Sequence, residues 1–333
     1  MILALIGALC LIYILFYAIL TYTLDCDIQL AFYEKFGKSI DKLKGKVVFI
    51  TGASSGIGEN VALILAKHGV KLILAARREN ELDRVKKNCL EISNGKLSTS
   101  DILVLAMDVT DISSHEKHFE TASKHFGRIH ILFNNAGRSQ RAMWEDIDLN
   151  IDKQMFELNV FSVLNLTRIA IKHFKANSGG HIVVTSSVTG LVAFPFSASY
   201  DGSKHALHGY FNALRTEKLK QNIKVSILCP GPAFTNFLAE CFTDKPGEKY
   251  GLTTKPTDKR LTGYRCGELC VIAIANELNE AWMGCPPLIS FLFLSVYFPN
   301  LFNWALKLLG ANRVFQFRDS EDSAVHIEEK RSK

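Results

Sequence analysis

No two of the eight cysteines (Cys10, Cys26, Cys89, Cys229, Cys241, Cys266, Cys270 and Cys285) stand in a C-x-x-C pair, and several fall inside apolar runs. Thiols so placed read as buried side chains, so no metal site and no disulfide framework is expected. The chain also lacks a dense stripe of lysine and arginine. Its net charge of +6 is spread out and its aromatics sit within apolar runs, which argues against nucleic acid as a partner. There is no internal repeat. Residues 1–24, MILALIGALCLIYILFYAILTYTL, carry no charged side chain. A secretory signal peptide would have a basic start, a shorter apolar core and a small-x-small cleavage site, and this segment has none of them. About 20 apolar residues cross a bilayer, so residues 1–24 are expected to form an uncleaved transmembrane anchor, with Tyr13, Tyr17 and Tyr22 near an interface. The lysines that follow (Lys35, Lys38, Lys42, Lys44 and Lys46) favour a cytosolic body, although acidic residues interleave with them.

The rest of the chain alternates. VVFIT (47–51) reads as a buried strand and runs at once into Gly52-Ala53-Ser54-Ser55-Gly56-Ile57-Gly58 and an apolar-periodic helix to about His68. A glycine-rich turn between strand and helix lets backbone N–H groups and the helix N-terminus meet a pyrophosphate. The next strand, KLILAA (71–76), ends Ala76-Arg77-Arg78, with no carboxylate to hold a ribose 2′-hydroxyl and two guanidinium groups suited to a 2′-phosphate. NADP(H) is therefore expected over NAD(H). ILVLAM (102–107) ends at Asp108, and residues 112–126 read as a helix with His115, His118 and His125 facing solvent. HILFN (130–134) runs into Asn134-Asn135-Ala136-Gly137, and residues 152–176 read as one long helix carrying Asn159 among apolar neighbours. HIVVTSS (181–187) and KVSILC (224–229), the latter ending Pro230-Gly231, are further strands. Strands alternating with helices predict an α/β fold of the Rossmann type, a doubly wound parallel sheet that binds ligands outside the strand C-termini.

The chemistry centres on residues 181–204. Ser186 and Ser187 end a strand, and beyond a loop Tyr200 and Lys204 stand four apart at the start of a helix to about Gln221. That spacing puts phenol and ammonium on one helix face. A free tyrosine, pKa about 10, is a poor acid or base at neutral pH, and bringing it to about 7–8 takes roughly 3–4 kcal/mol. One ammonium about 4 Å away at an effective dielectric near 20 supplies about that much. Residues 233–260 are irregular and basic, long enough to be a lid or binding loop, and 261–279 return to a helical pattern. Residues 286–317 form an apolar helical extension, with Pro299 interrupting a run otherwise near spanning length. It is expected to lie on the membrane or to pack in a dimer. The tail, 318–333, is charged and expected to be disordered.

Thr51–Gly58 (T-G-A-S-S-G-I-G), Asn134–Gly137 (N-N-A-G) and Ser187 thirteen positions before the Y-x-x-x-K at Tyr200 together resemble the short-chain dehydrogenase/reductase family over about residues 45–231. The anchor, the A-A-R-R turn and the apolar C-terminal segment look most like its dehydrogenase/reductase member 7 subgroup, which is similar to membrane-bound hydroxysteroid dehydrogenases. The resemblance implies a catalytic domain over residues 45–285 and a location in the endoplasmic reticulum membrane. It implies that Gly52, Ser54, Ser55, Gly56, Ile57 and Gly58 cradle the cofactor phosphates, that Arg77 contacts the 2′-phosphate of NADPH or NADP⁺, and that Thr51 and Arg78 also belong to the cofactor site. Asp108 and Val109 would border the adenine, and Asn135, Ala136 and Gly137 would support the cofactor ribose. Pro230, Gly231 and Thr235 would meet the nicotinamide. Tyr200 would give a proton to a substrate carbonyl as hydride arrives, Ser187 would hydrogen-bond that oxygen, Lys204 would lower the Tyr200 pKa and hold the ribose, and Asn159 would bind a water linking Lys204 to solvent. The implied function is NADPH-dependent reduction of lipophilic ketones or aldehydes (steroids, retinoids, xenobiotics). A hydroxysteroid oxidase running on NADP⁺ is the alternative direction, and membrane lipid and a second copy of the chain are the expected partners. One departure stands out: Asp201-Gly202-Ser203 fills the space between Tyr200 and Lys204, where relatives carry small uncharged residues. The negative charge would work against Lys204, slowing the reaction or moving its optimum to higher pH without removing the site; a catalytically impaired cofactor-binding membrane scaffold is the alternative from another class.

Overall fold

The computed structural model describes residues 1–310; the end of the apolar extension and the charged tail lie outside the described residues. The chain opens with α1 (Ile2–Thr23) and α2 (Ile28–Phe36). It then alternates through β1 (Val47–Thr51), α3 (Gly56–Lys67), β2 (Lys71–Ala76), α4 (Glu79–Ile92), β3 (Ile102–Ala106), α5 (His115–Phe126) and β4 (Ile131–Asn134). Next come α6 (Leu149–Phe156), α7 (Ser162–Ala176), β5 (Gly180–Thr185), α8 (Ala198–Glu217) and β6 (Ile223–Pro230). Two short strands, β7 (Ala233–Phe234) and β8 (Leu261–Thr262), pair with each other, and α9 (Gly263–Ala275), β9 (Glu280–Met283), α10 (Leu288–Tyr297) and α11 (Pro299–Leu309) follow.

Seven strands form one parallel sheet in the order β3-β2-β1-β4-β5-β6-β9. The strands are short β-branched and leucine-rich runs because helices cover both faces, and every residue of β1 is buried. From β1 the chain winds outward one way through β2 and β3, then returns to β4 and winds the other way. The β1/β4 boundary is thus the switch point where a crevice opens at the strand C-termini.

Three expectations from the sequence need correction. The helix placed at 152–176 starts earlier and is interrupted by a π-helical turn, Glu157–Phe161, that separates α6 from α7 and carries Asn159. Such single-turn bulges shift the phase of the side chains that follow. The helical pattern at 261–279 ends at Ala275, and Glu280–Met283, too short to signal a strand by itself, becomes the edge strand because β6 offers its free edge. His115 does not face solvent. It is fully buried with Nε2 2.9 Å from the Val109 carbonyl, because the first turn of α5 packs under the β3 exit, while His118 is half-buried and His125 alone is exposed.

Several buried histidines make the body acid-sensitive. Burial, reinforced by Lys46 and Lys224, pushes His181 down to about 3, and burial beside Arg128 pushes His130 down to about 4. Both are therefore neutral in the native state at a pH where the unfolded chain takes up protons. Stability is unaffected above about pH 6.5 and falls as the pH drops from there toward the native values. At pH 5 His181 alone costs about 2 kcal/mol. The urea midpoint in detergent should accordingly fall clearly between pH 7 and pH 5, and an unchanged midpoint would contradict the neutral, buried assignment.

The N-terminal helix is fastened to the body. Among the described residues α1 is the one helix long and apolar enough to cross a membrane, over Ala4–Thr23, and nearly all of it is exposed. Immediately after it, Cys26 bridges Met283 at the end of β9, Asp27 accepts from Trp282 N at 2.6 Å, and Gly284 N donates to Asp25 O at 2.8 Å. Arg265 on α9 ties this joint together by reaching Asp25 at 2.8 Å and Glu34 at 2.5 Å.

Candidate active site

The crevice at the C-terminal edge of the sheet encloses about 730 Å³ and is bordered by every one of the candidate positions except Thr51, Gly58 and Asn159, which lie directly behind its wall. Its floor is the turn from β1 into α3. Gly52 has φ +67, and a Cβ there would lie 2.9 Å from Ala136 Cα. A Cβ on Gly58 would lie 2.7 Å from Asn135 Nδ2, so the start of α3 can approach the β4 exit only as glycine. Ser55 is the N-cap of α3 but its side chain makes no cap bond, which leaves first-turn N–H groups to meet an anion. Thr51 Oγ1 accepts from Asn135 N (3.0 Å) and Ala136 N (3.1 Å). Asn135 Nδ2 donates to Thr51 O (3.2 Å), and Thr185 Oγ1 donates to Asn135 Oδ1 (3.2 Å). Three strand ends are thereby locked around one groove. A glycine-lined cradle of this kind fits a dinucleotide.

At the outer end of the groove Arg78 Nη2 donates to Ser54 Oγ (3.2 Å) and Ser55 Oγ (3.3 Å), so this guanidinium sits against the glycine turn that leads into α3. Arg77 is exposed on the rim. Asp108 is turned to Thr110, accepting from its N at 2.9 Å and its Oγ1 at 2.8 Å, with Val109 buried beside it.

The inner end holds the candidate catalytic side chains. Tyr200 and Lys204 lie on the first turns of α8, both buried, with Lys204 Nζ 5.6 Å from the Tyr200 ring centroid and donating to Thr185 O at 2.8 Å. Burial pulls the Lys204 ammonium down to about 7. Ser187 Oγ donates to Pro230 O at 3.3 Å and accepts from Thr189 N at 3.2 Å, which fixes the hydroxyl between β5 and β6. Asn159 is fully buried. Its Nδ2 donates to Arg138 O (2.9 Å) and Ser203 Oγ (3.0 Å), and its Oδ1 accepts from Arg138 N (3.0 Å). A Cβ on Gly137 would stand 2.9 Å from Asn159 Oδ1 and 3.6 Å from Lys204 Nζ, so the glycine lets the two meet. Gly231 N donates to Met283 O at 2.6 Å, and Thr235 lies over Gly56.

Asp201 has a part that its position in the sequence does not disclose. It is buried, and its Oδ2 accepts from Phe194 N (2.8 Å) while Oδ1 accepts from Ser197 Oγ (3.1 Å). The carboxylate therefore clamps the 191–197 loop against the helix that carries Tyr200.

The sequence marked residues 233–260 as a lid or binding loop but not the contacts by which it closes the cleft. Residues 236–249 fold back over it: Phe242 N donates to Ser139 O and Arg141 N to Phe242 O, both at 2.9 Å. Arg138 pairs with Glu240 (2.9 Å), Glu240 with Lys249 (3.0 Å), and the Phe237 ring meets Tyr200 edge-on at 6.1 Å. The irregular, basic composition marked the loop, but no local pattern says which residue closes onto which. Thr185, whose carbonyl holds Lys204, was hidden in an ordinary β-branched run.

A glycine turn leading into a helix N-terminus at the switch point of a parallel sheet, opening onto a buried tyrosine–lysine pair, fits one class: a dinucleotide-dependent oxidoreductase built on a doubly wound sheet. The short chain dehydrogenase family model matches residues 46–246. The human "Dehydrogenase/reductase SDR family member 7" is 39% identical over 301 residues, 90% of this chain and 88% of that one. A Burkholderia phymatum short chain dehydrogenase/reductase solved in complex with NAD is 25% identical, with TM-score 0.67 over 78% of this chain and 95% of its own. An alcohol dehydrogenase from Thermococcus sibiricus, complexed with 5-hydroxy-NADP, shares the fold at 22% identity, with TM-score 0.63 over 73% of this chain and 98% of its own. The chain belongs to the short-chain dehydrogenase/reductase family.

Proposed function

We propose that this protein is a membrane-anchored, NADPH-dependent reductase of lipophilic ketones and aldehydes, with steroids, retinoids and apolar xenobiotics as the substrate class. The observation that carries the reading is the buried Tyr200–Lys204 pair beside Ser187 at the inner end of a glycine-cradled groove. Bound in that groove, the reduced nicotinamide would supply the hydride. Tyr200 Oη gives the proton to the developing alkoxide, and Ser187 Oγ holds the same oxygen by a hydrogen bond. Lys204, desolvated and held by Thr185 O, favours the phenolate that this proton transfer leaves behind. Asn159 holds Gly137 and Arg138 in place beside Lys204, where a water can complete the path to solvent. The roof made by residues 236–249 would shield the reacting atoms from bulk water.

The preference for NADPH rests on Arg77 and Arg78 after β2 and on the absence of an acidic residue there. Arg78→Ala is expected to raise the KM for NADPH about tenfold and to leave the KM for NADH nearly unchanged; equal effects on both would refute the 2′-phosphate assignment. The membrane reading rests on α1, and placement in the endoplasmic reticulum rests on the subgroup resemblance. The direction of reaction follows the cofactor ratio of the compartment, so oxidation of hydroxysteroids with NADP⁺ uses the same residues in reverse.

The deciding experiment is turnover by the detergent-solubilised full chain on steroid and retinoid carbonyls, with NADPH and NADH side by side. NADPH-dependent loss of carbonyl supports the proposal. Cofactor binding without turnover on any of these substrates would overturn it.

A further inference from the structure

No described residue of α10 or α11 lines the groove, yet the two helices build a surface of their own. α10 packs along α1 in the opposite sense. Ser290 Oγ donates to Thr21 Oγ1 at 3.0 Å and Phe293 meets the Tyr17 ring edge-on at 5.4 Å, so as α10 advances it climbs toward the N-terminal end of α1. Tyr17 lies six residues inside the apolar stretch that ends at Thr23. At 1.5 Å per residue that is about 9 Å along the helix, so Phe293 already stands beside the apolar part of α1. Phe293 also stacks on Tyr297 at 5.5 Å, one turn further on.

Beyond Tyr297 the chain turns at Phe298 and Pro299 and comes back as α11, with Phe302 packed on Phe291 at 4.7 Å. The tip of this hairpin, Val296 to Leu301, is exposed throughout. α11 has three distinct faces. Phe302, Ala305 and Leu306 turn toward the body, Asn300, Asn303 and Lys307 make a polar stripe, and Leu301, Trp304 and Leu308 make an apolar stripe open to the outside, Trp304 being 60% exposed. A helix with a protein face, a polar face and a bare apolar face has the pattern of one held at a membrane interface.

We infer that α10 and α11 form a re-entrant hairpin that enters the body-side leaflet of the bilayer beside α1, with the apolar stripe of α11 against acyl chains and Lys307, in the last turn of the returning helix, at the headgroups. This rests on reading α1 as a membrane anchor. Continuity supplies the occupant: if α1 is in lipid, the flank of it that α10 covers is in lipid too, and the bare tip goes deeper than that contact. The hairpin also fixes the pose of the body. The joint at Asp25–Asp27 and the start of α10 both leave from the C-terminal end of β9, the sheet edge on which the catalytic cleft opens. Phe291 touches Phe194 at 5.9 Å, and Phe194 N is the group clamped by Asp201, so lipid contact reaches the loop ahead of Tyr200 through one aromatic pair.

The test uses the full-length chain carrying Trp144→Phe, reconstituted into phosphatidylcholine vesicles with or without bromine on the upper acyl chain. Trp282 is buried, so lipid-borne bromine reports Trp304. Brominated lipid is expected to quench the emission about twofold relative to plain lipid, and adding Trp304→Phe is expected to remove that quenching. Flotation of the same vesicles reports α1 separately. A protein that floats but whose Trp304 emission ignores bromine overturns the hairpin and leaves the anchor standing, whereas failure to float removes both. Unquenched Trp304 together with two copies per nanodisc would assign the stripe to a second chain and equally overturn the inference.

Discussion

Replacing Tyr200 with phenylalanine is expected to lower kcat/KM for carbonyl reduction by about 10²–10⁴-fold, the usual range for loss of a general acid, while the dissociation constant for NADPH stays within about threefold. The substitution removes one oxygen and keeps the ring, so the edge-on contact with Phe237 and the packing of Lys204 over the ring survive. The cradle made by Gly52, Gly58, Asn135 and the N-terminus of α3 is untouched. Turnover and cofactor fluorescence, measured on the same preparation, separate the two effects. Activity retained above about a tenth of the wild type would mean that another group, or water, delivers the proton.

Asp201→Ala carries the second large effect, and its sign distinguishes two views of this residue. If the carboxylate matters mainly as a charge opposing Lys204, its removal should raise the rate. Its buried position and its bonds to Phe194 N and Ser197 Oγ lead to the opposite expectation. Truncation removes the charged acceptor from the Phe194 amide and the Ser197 hydroxyl, the latter keeping its bond to Phe194 O, and hydrogen bonds to charged groups contribute about 1.5–3 kcal/mol each. Stability should fall by about 2–4 kcal/mol, and the 191–197 loop, no longer held to α8, should cost about 10–100-fold in kcat/KM. Asp201→Asn keeps one acceptor and should recover part of both. A faster Asp201→Ala enzyme would restore the view of Asp201 as an impairment, and with it the reading of the chain as a cofactor-binding scaffold.

Much of the site was legible because its residues are local. The turn from Thr51 to Gly58 reads directly, since a strand, a glycine turn and a helix are consecutive and each has its own short-range signal. Tyr200 and Lys204 share a helix face by spacing alone, and the arginines after β2 stand where a strand end requires them. α1 declared itself by the absence of charge over 24 residues. These features depend on neighbours within about one helical turn or one strand, the range over which backbone preference and side-chain periodicity act.

Tertiary structure decided the rest. Asn159 became a partner of Arg138 and Ser203 only because a π-turn re-aims it, and no residue pattern announces that turn. His115 was driven inward by packing under β3, against the polar pattern of its helix. β9 is a strand because β6 had an unpaired edge, since four residues cannot pair with anything in their own neighbourhood. Asp201 looks like a stray charge beside a lysine until the 191–197 loop folds against it, and the roof over the cleft exists only where Glu240 meets Arg138, 102 positions away. Contacts between residues so far apart are set by which surfaces remain uncovered once the sheet has formed, and that is a property of the assembled fold rather than of any stretch of the chain.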